Sequence, residues 1–498
     1  MRPPPIIVVG AGIAGLAAAI DLARRGAAVT VVERAASSGG KIRQISVDGA
    51  GIDAGPTVFT MRWILEGLFS DAGARLQDHL ELQAAETLAR HAWSDGGRLD
   101  LHASIERSAA SIAEFASEAD AANYRDFCAR SARVFATLRD SFIADQRPSP
   151  LQLVRRVGWS RLGALWETAP FRTLWQSLAQ QFRDPRLRQL FGRYATYCGS
   201  SPMQAPATLM LVAHVEQDGV WLVNGGMRQV AIALQSLAES LGVQFRFGSH
   251  VQEILTDGSR VSGVTLSDGD SISSASVVFA GDVAALGAGL LGPHAARVTK
   301  ATAPGARSLS AVTWCTTARP SGFELAHHNV FFGDDYTDEF DAIFRRREIC
   351  GSPTVYLCAQ DRSDTRAPST GQRERLLMLI NAPADGDRAP LSLTDLDRHA
   401  EAATRVLERC GLQLQERSTS EVVTTPQGFN ELFPGTGGAL YGSANHGAMT
   451  TFKRLGARSR LRGLYLAGGS VHPGPGVPMA AMSGRLAARA CLEDLGDA

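Results

Sequence analysis

The run Ile6-Ile7-Val8-Val9-Gly10-Ala11-Gly12-Ile13-Ala14-Gly15 restricts what this chain can fold into more than any other stretch. The apolar residues read as a buried strand, the glycines as a turn, and the small residues after them as a helix leading to a second strand, Val29-Thr30-Val31-Val32-Glu33. Gly10 allows the tight turn, Gly12 lets the backbone approach a pyrophosphate, and Gly15 lets the helix pack closely on the strand. Free N–H groups of the helix, including those of Ile13 and Ala14, face that pyrophosphate. Glu33 lies roughly 20 residues on, where a carboxylate accepts hydrogen bonds from an adenosine ribose and repels a 2′-phosphate, so NADP is disfavoured. A glycine fingerprint alone is a weak signal. Here strand, helix and acid are all in place, and a dinucleotide site follows.

The chain has 498 residues, 45% of them hydrophobic, which is ample for two or three domains. Lys+Arg and Asp+Glu each number 50, so no overall field draws the protein to nucleic acid or anionic lipid. Seven scattered cysteines with no Cys-x-x-Cys pair argue against a metal cluster or a disulfide framework and suggest a reducing cytoplasm. The apolar start lacks a charged n-region and a cleavage site, so it is expected to be a sheet strand and not a signal peptide. No run of about 18 apolar residues follows that would span a membrane.

After Glu33 and Arg34 comes a loop with Gly39-Gly40-Lys41, then a strand leading into Asp53-Ala54-Gly55-Pro56-Thr57. Segments 76–210 change character, with strands around Leu88–Leu101 and then helices that look like an insertion. Within it, 148–182 holds Trp159, Trp166 and Trp175 with Leu151, Val154, Leu162, Leu165 and Leu174, and carries Arg155, Arg156, Arg161 and Arg172. That stretch reads either as a basic amphipathic element for a membrane interface or as a lid helix packed on the core. Further on, Gly225-Gly226 precedes a helix over about 228–241. Val243–Phe247, His250–Thr256 and Arg260–Leu266 then read as a β-meander. Ser276 to Asp282 returns the chain to the parallel sheet, and 295–435, with strand-like Arg375–Ala382 and a helix over Leu393–Cys410, suggests a substrate domain. Last come Leu464 to Ser470, the loop Val471 to Met479, and a helix from about Ala480 to Asp494. A second glycine loop opening onto a helix start would turn free N–H groups and a partial positive charge toward a bound ligand. His472 is the one catalytic candidate, although a histidine beside Pro-Gly more often shapes a loop.

The order of these motifs resembles the bacterial carotenoid desaturases, the phytoene-desaturase-like branch of the amine-oxidase flavoproteins. The resemblance rests on Asp53-Ala54-Gly55-Pro56-Thr57-Val58, on Gly225-Gly226 with the following helix, and on His472-Pro473-Gly474-x-Gly476-x-Pro478. Within that family, Ala89-Arg90-His91-x-Trp93-Ser94-Asp95-Gly96 and Asp184 to Tyr197 look like the dehydrogenases of hydroxy- and methoxyneurosporene in purple phototrophic bacteria. Those enzymes introduce the 3,4 double bond into 1-hydroxy or 1-methoxy carotenoids. The resemblance implies an α/β fold: a discontinuous Rossmann-like FAD-binding domain (1–75, 215–294, 436–498), a mixed-sheet substrate domain (76–105, 295–435) and a helical insertion (106–214).

It implies that Gly10, Gly12, Ile13, Ala14, Gly15, Glu33 and Arg34 bind the ADP half of FAD, and that Gly39, Gly40, Lys41, Asp53, Gly55, Pro56 and Thr57 line the cofactor. Val251 would hold adenine through its backbone, and Gly468, Gly469, Gly476, Val477, Pro478 and Met479 would lie against the phosphates and isoalloxazine. The chain departs from much of the wider superfamily at Gly469-Ser470, where an acid is common, which weakens one pyrophosphate–ribitol contact without excluding FAD. An allylic C–H bond with no polar handle needs a hydride acceptor, so hydride is expected to go to flavin N5 and a proton to a base or water. At about 0.8 kcal/mol per CH₂, a forty-carbon chain is confined to the bilayer and must enter an apolar tunnel from it. Hence a peripheral contact with the inner (chromatophore) membrane through 148–182 is expected, with quinone or oxygen as acceptor. The 1-hydroxyl needs a polar partner, for which His91, Tyr194, Tyr197, His214 and Tyr441 are candidates. Alternatives are a multi-step phytoene-type desaturase, a carotenoid isomerase, and a flavin-free binder of lipidated proteins with the same fold.

Overall fold

The computed structural model describes residues 5–158, 162–369 and 371–496, so Trp159 and Arg161 of the tryptophan-rich stretch, and the side chain of Leu162, lie outside the described residues. The β-branched runs form the expected parallel strands. β1 (Ile6–Val9) pairs with β2 (Val29–Val32) in the register Val8↔Val31, and α1 (Ile13–Ala23) crosses between them. The sheet runs in the order Leu464–Leu466, Val277–Phe279, β1, β2, Gln244–Arg246, every pairing parallel. Parallel sheets place ligands at the carboxyl ends of their strands. That is where the glycine loops after β1 and after Leu464–Leu466 lie.

Two glycines fix the layer above. A Cβ on Gly15 would stand 1.9 Å from the Gly10 carbonyl oxygen, and one on Gly484 would stand 2.1 Å from that of Ala14. Only bare backbone lets α1 sit this close to its strand and the C-terminal helix Val477–Leu495 this close to α1.

β3 (Gln44–Val47) and β4 (Ala50–Asp53) form a hairpin that leads from the nucleotide sheet toward a second sheet. That sheet has eight strands, with Ser310–Ser321, Glu374–Ala382, Val355–Ala359, His328–Phe331, Thr87–Ala92 and Arg98–His102 adjacent in that order. The register carries one row across it: Thr313, Leu379, Tyr356, Val330, His91 and Leu99. Because side chains alternate along a strand, these six share a face. On the opposite face Trp314, Met378, Leu357 and Phe331 bury together with Val406 and Leu407 of the helix Leu393–Arg409.

A helical region runs from Ile105–Phe115 to Leu211–Gln217, started by well-formed caps: Ser117 accepts from the Asp120 N–H, and Ser149 and Thr173 each form a capping box.

Two expectations are corrected. Val243–Phe247 does not open the meander: Gln244–Arg246 is the edge strand beside β2, since helix Arg228–Ser240 provides the crossover a parallel neighbour needs. The meander is Val251–Asp257, Arg260–Leu266 and Ser271–Ser273. The C-terminal helix starts at Val477 and not near Ala480, because Pro478 sits in its first turn, where a missing N–H costs nothing. The longest strand, Ser310–Ser321, was not singled out, since its central residues are buried on both faces and leave no alternation to read.

Candidate cofactor and substrate site

The glycine loops meet at the carboxyl end of β1. Gly12 bridges to Gly39, and a Cβ on Gly40 would lie 3.1 Å from the Gly12 Cα. α1 starts at Gly12 with no side-chain cap and no acid in its first turn, so its N–H groups are left for a ligand. Glu33 is buried and accepts from the N–H groups of Ala11 (2.7 Å) and Ala35 (2.8 Å), which fixes its carboxylate at the end of β2. Ser249 donates its N–H to the Glu33 carbonyl, which brings Val251 and the meander to the same edge. Beside Gly39, the buried Ser38 hydroxyl has no partner.

On the other side of the loops, Gly55 approaches so closely that a Cβ would lie 1.9 Å from the Lys41 carbonyl oxygen. Lys41 Nζ donates to the Leu440 carbonyl (2.5 Å) and lies 5.3 Å from the Phe433 ring. Burial lowers its pKa, with Asp282 opposing. Arg454, also buried, donates to the carbonyls of Gly469 (3.1 Å) and Ser443 (3.0 Å) and to Asn445 Oδ1, so a cation with neutral partners holds the C-terminal glycine loop in place. That loop ends at Gly476, whose φ of 115° starts the C-terminal helix with no side-chain cap.

Thr57 joins this cradle to the second sheet. Its Oγ1 lies 2.7 Å from the Tyr356 hydroxyl, which also meets His328 Nδ1 at 2.7 Å. Over the Tyr356 ring, 5.5 Å from its centroid, stands the guanidinium of Arg193.

Residues 13–492 match the family described as flavin containing amine oxidoreductase. The chain is 52% identical over 496 residues to a hydroxyneurosporene desaturase of Rubrivivax gelatinosus, covering 99% of this chain and 94% of that protein. It is 41% identical over 498 residues to a hydroxyneurosporene desaturase of Cereibacter sphaeroides, covering 99% and 98%. The backbone resembles cyclohexylamine oxidase from Brevibacterium oxydans with a TM-score of 0.58 at 19% identity, over 99% of this chain and all of that one. The chain belongs to the flavin-containing amine oxidoreductase family. It is an FAD-dependent oxidoreductase.

For a flavin amine oxidoreductase the cradle has the required form: bare glycine backbone, two uncapped helix starts, a fixed carboxylate and an unpartnered serine hydroxyl. Gly10, Gly12, Ile13, Ala14, Gly15, Glu33, Gly39 and Gly40 are brought together there, and would hold the ADP half of FAD. Lys41, Gly55, Pro56, Thr57, Gly468, Gly469, Gly476, Val477, Pro478 and Met479 follow along the loops toward where the flavin ring would lie.

Arg34 departs from expectation: its Nη2 donates outward to the Glu431 carbonyl. So, in part, does Asp53. Its Oδ2 accepts from the Met227 N–H (2.6 Å), and a Cβ on Gly226 would stand 2.3 Å from that oxygen. Gln360 pairs with both Asp53 backbone groups at 2.9 Å, so Asp53 clamps the Gly225-Gly226 turn through Oδ2, while its buried Oδ1 has no partner among the described residues.

His472 is buried, edge-on to Phe142 at 4.8 Å, and donates from Nε2 to the Asp145 carbonyl. Burial holds its pKa down at about 4, and the ring shapes the loop. His91 is also buried, with Nδ1 on the Leu99 carbonyl, and burial holds it at about 3. The Tyr197 hydroxyl accepts from Arg193 (3.0 Å) and donates to Glu216 Oε1 (2.8 Å), which uses it fully. Tyr194 is buried and turned to the same carboxylate. His214 lies against Phe135 on the far side of its helix from Glu216. Tyr441 is half-buried, and burial pushes its hydroxyl up to about 12.

Reading the sequence missed Arg193, His328, Tyr336 and Tyr356. A polar residue inside an otherwise apolar strand, as in Val355-Tyr356-Leu357, was the available signal. His327, His328 and Cys358 also have ligand atoms within 4.8 Å of one another, with His327 Nδ1 on the Arg362 carbonyl, His328 Nδ1 on the Tyr356 hydroxyl and the Cys358 thiol pushed up to about 12 by burial.

Proposed function

We propose that this enzyme desaturates an acyclic carotenoid, introducing the C-3,4 double bond into a 1-hydroxy or 1-methoxy end group. The observation that carries the reading is the 52% identity, running through the whole chain, to a hydroxyneurosporene desaturase. FAD, when bound, supplies the two-electron acceptor that an unactivated C–H bond requires. The chain's own residues position and shield. The sheet face carrying Leu379, Val330 and Tyr356 offers an apolar wall, and Thr57 ties that wall to the cofactor loops. With pKa values held at about 3 and about 4 by burial, His91 and His472 are neutral imidazoles at neutral pH, so neither offers an imidazolium as general acid.

Delivery of such a substrate fits the outer surface of the helical region. Leu151, Trp166 and Phe171 are 54%, 69% and 79% exposed, the two rings stand 6.2 Å apart, and Arg155 and Arg172 of the same stretch of chain are exposed too. Exposed apolar tips and exposed arginines on one stretch suit insertion among acyl chains with cations at the headgroups, so the protein would act as a peripheral membrane enzyme that passes electrons to a membrane quinone. Among the described residues no helix is long and apolar enough to cross a membrane.

The test is anaerobic incubation of the holoenzyme with liposomes carrying 1-hydroxyneurosporene, with and without quinone. A red shift corresponding to one added double bond, faster with quinone, is the expected result. Conversion of phytoene but not of the hydroxylated carotenoid would replace this reading with multi-step desaturation. Trp166→Ala with Phe171→Ala should reduce liposome binding roughly 100-fold, at about 1.5–3 kcal/mol for each apolar side chain. Undiminished cosedimentation would remove the proposed contact.

A further inference from the structure

The oxygen at C-1 is three bonds from C-3. Whatever group receives it must therefore stand beside the reacting carbons, on the part of the wall joined to the cofactor loops. That part is centred on Tyr356, through its 2.7 Å contact with Thr57. Arg193, Tyr197 and Tyr356 are each half-buried, so part of each side chain stays accessible.

Arg193 is unusual among the arginines of the chain. Its guanidinium lies over the rings of Tyr197 (5.1 Å) and Tyr356 (5.5 Å) and spends one N–H on the Tyr197 hydroxyl. Among the described residues no carboxylate oxygen lies within 4.0 Å of it, so most of its five donors are left for a guest. Two further polar atoms near it lack partners. The Tyr336 side chain is buried among Trp175 (6.0 Å), Phe332 (6.0 Å) and Phe340 (5.0 Å), and its hydroxyl bonds to nothing. His328 is 3% exposed, uses Nδ1 on the Tyr356 hydroxyl, and leaves Nε2 unpartnered. Buried polar atoms without partners are rare and costly, and two of them near a guanidinium with unused donors point to a ligand that would pair all three groups.

Resting on the carotenoid-desaturase reading, we propose that Arg193, Tyr336 and His328 form the docking site for the C-1 oxygen of the substrate. Arg193 donates to that oxygen. Tyr336 donates a hydrogen bond to it or accepts one from it, and His328 Nε2 completes the shell of a hydroxyl. An ether oxygen accepts only, so a methoxy guest is held by the donors alone. This site distinguishes oxygenated from hydrocarbon end groups because a hydrocarbon leaves all three groups unpaired.

The test compares 1-hydroxyneurosporene with neurosporene, which lacks the oxygen, as substrates or competing ligands of the holoenzyme in liposomes. Tyr336→Phe keeps the ring packing and should lower kcat/KM for the hydroxylated carotenoid roughly tenfold, and Arg193→Met roughly 100-fold, with neurosporene binding unchanged or tighter. Arg193→Met also disturbs the Tyr197–Glu216 pair, so Tyr336→Phe decides if the arginine variant does not fold. Parallel losses for both carotenoids, or no loss for either, would overturn the docking site while the wild-type red shift leaves the functional reading standing. A wild-type enzyme inert toward the hydroxylated carotenoid would overturn both.

Discussion

The nucleotide cradle and the substrate wall are built from different materials. In the cradle the backbone makes the contacts, and residue types matter mainly for what they leave out: Gly12, Gly15, Gly40 and Gly55 each clear space that a Cβ would fill. On the wall the side chains do the work. Arg193, His328, Tyr336 and Tyr356 come from a short helical turn, two strands and a helix start, and each depends on its charge or hydrogen-bonding atoms. A backbone site tolerates no added bulk but little depends on any one polar group, whereas a side-chain site should tolerate conservative bulk and fail on loss of a single atom.

The largest effect expected from this contrast is at Gly15. Gly15→Val places a branched side chain where even a Cβ stands 1.9 Å from the Gly10 oxygen, so α1 must leave its strand at a cost on the order of 4 kcal/mol or more. Purified protein should carry no flavin absorbance, while the wall, resting on the other sheet, should lose much less. Flavin bound at wild-type stoichiometry would show that the close packing of α1 is not what forms the cradle.

Next in size is the response to acid, which reports the wall and the C-terminal loop. Burial depresses His91 to about 3 and His472 to about 4, against about 6.5 when unfolded. Below pH 6.5 the unfolded chain takes up protons that the folded one refuses. The stabilisation is therefore complete above 6.5 and is lost as pH falls toward 4, at up to about 1.4 kcal/mol per unit for each group. Urea midpoints measured from pH 7 to 4.5 should fall, and His472→Phe should flatten the curve. An equally steep curve in that variant would mean that His472 is protonated in the folded protein and free for chemistry.

The same contrast explains what could be read from the sequence. The cradle was legible because its residues are local: a strand, three glycines, a helix and an acid follow one another within the first 33 residues and each answers a backbone requirement. Asp53 shows the limit. Its Asp-x-Gly motif was visible, but the partner that sets its role, the Met227 N–H, lies 174 residues away. The wall was illegible for the same reason on a larger scale, since Thr57 and Tyr356 are 299 residues apart in the chain and 2.7 Å apart in space. Tyr197 is a candidate from sequence for the partner of the 1-hydroxyl, yet only the fold reveals that Arg193 and Glu216 already bond to its hydroxyl.

The smallest effect expected is at the joint between the two regions. Thr57→Val keeps the shape and removes the Oγ1 that meets Tyr356, leaving the tyrosine hydroxyl with His328 Nδ1. One hydrogen bond in a protein is worth about 1 kcal/mol, so the urea midpoint should fall only slightly and flavin content should not change. The consequence belongs to the wall: with Tyr356 less firmly held, KM for the carotenoid should rise several-fold while the flavin spectrum stays that of wild type. Loss of flavin with KM unchanged would assign Thr57 to the cradle instead and would separate the two regions at this contact.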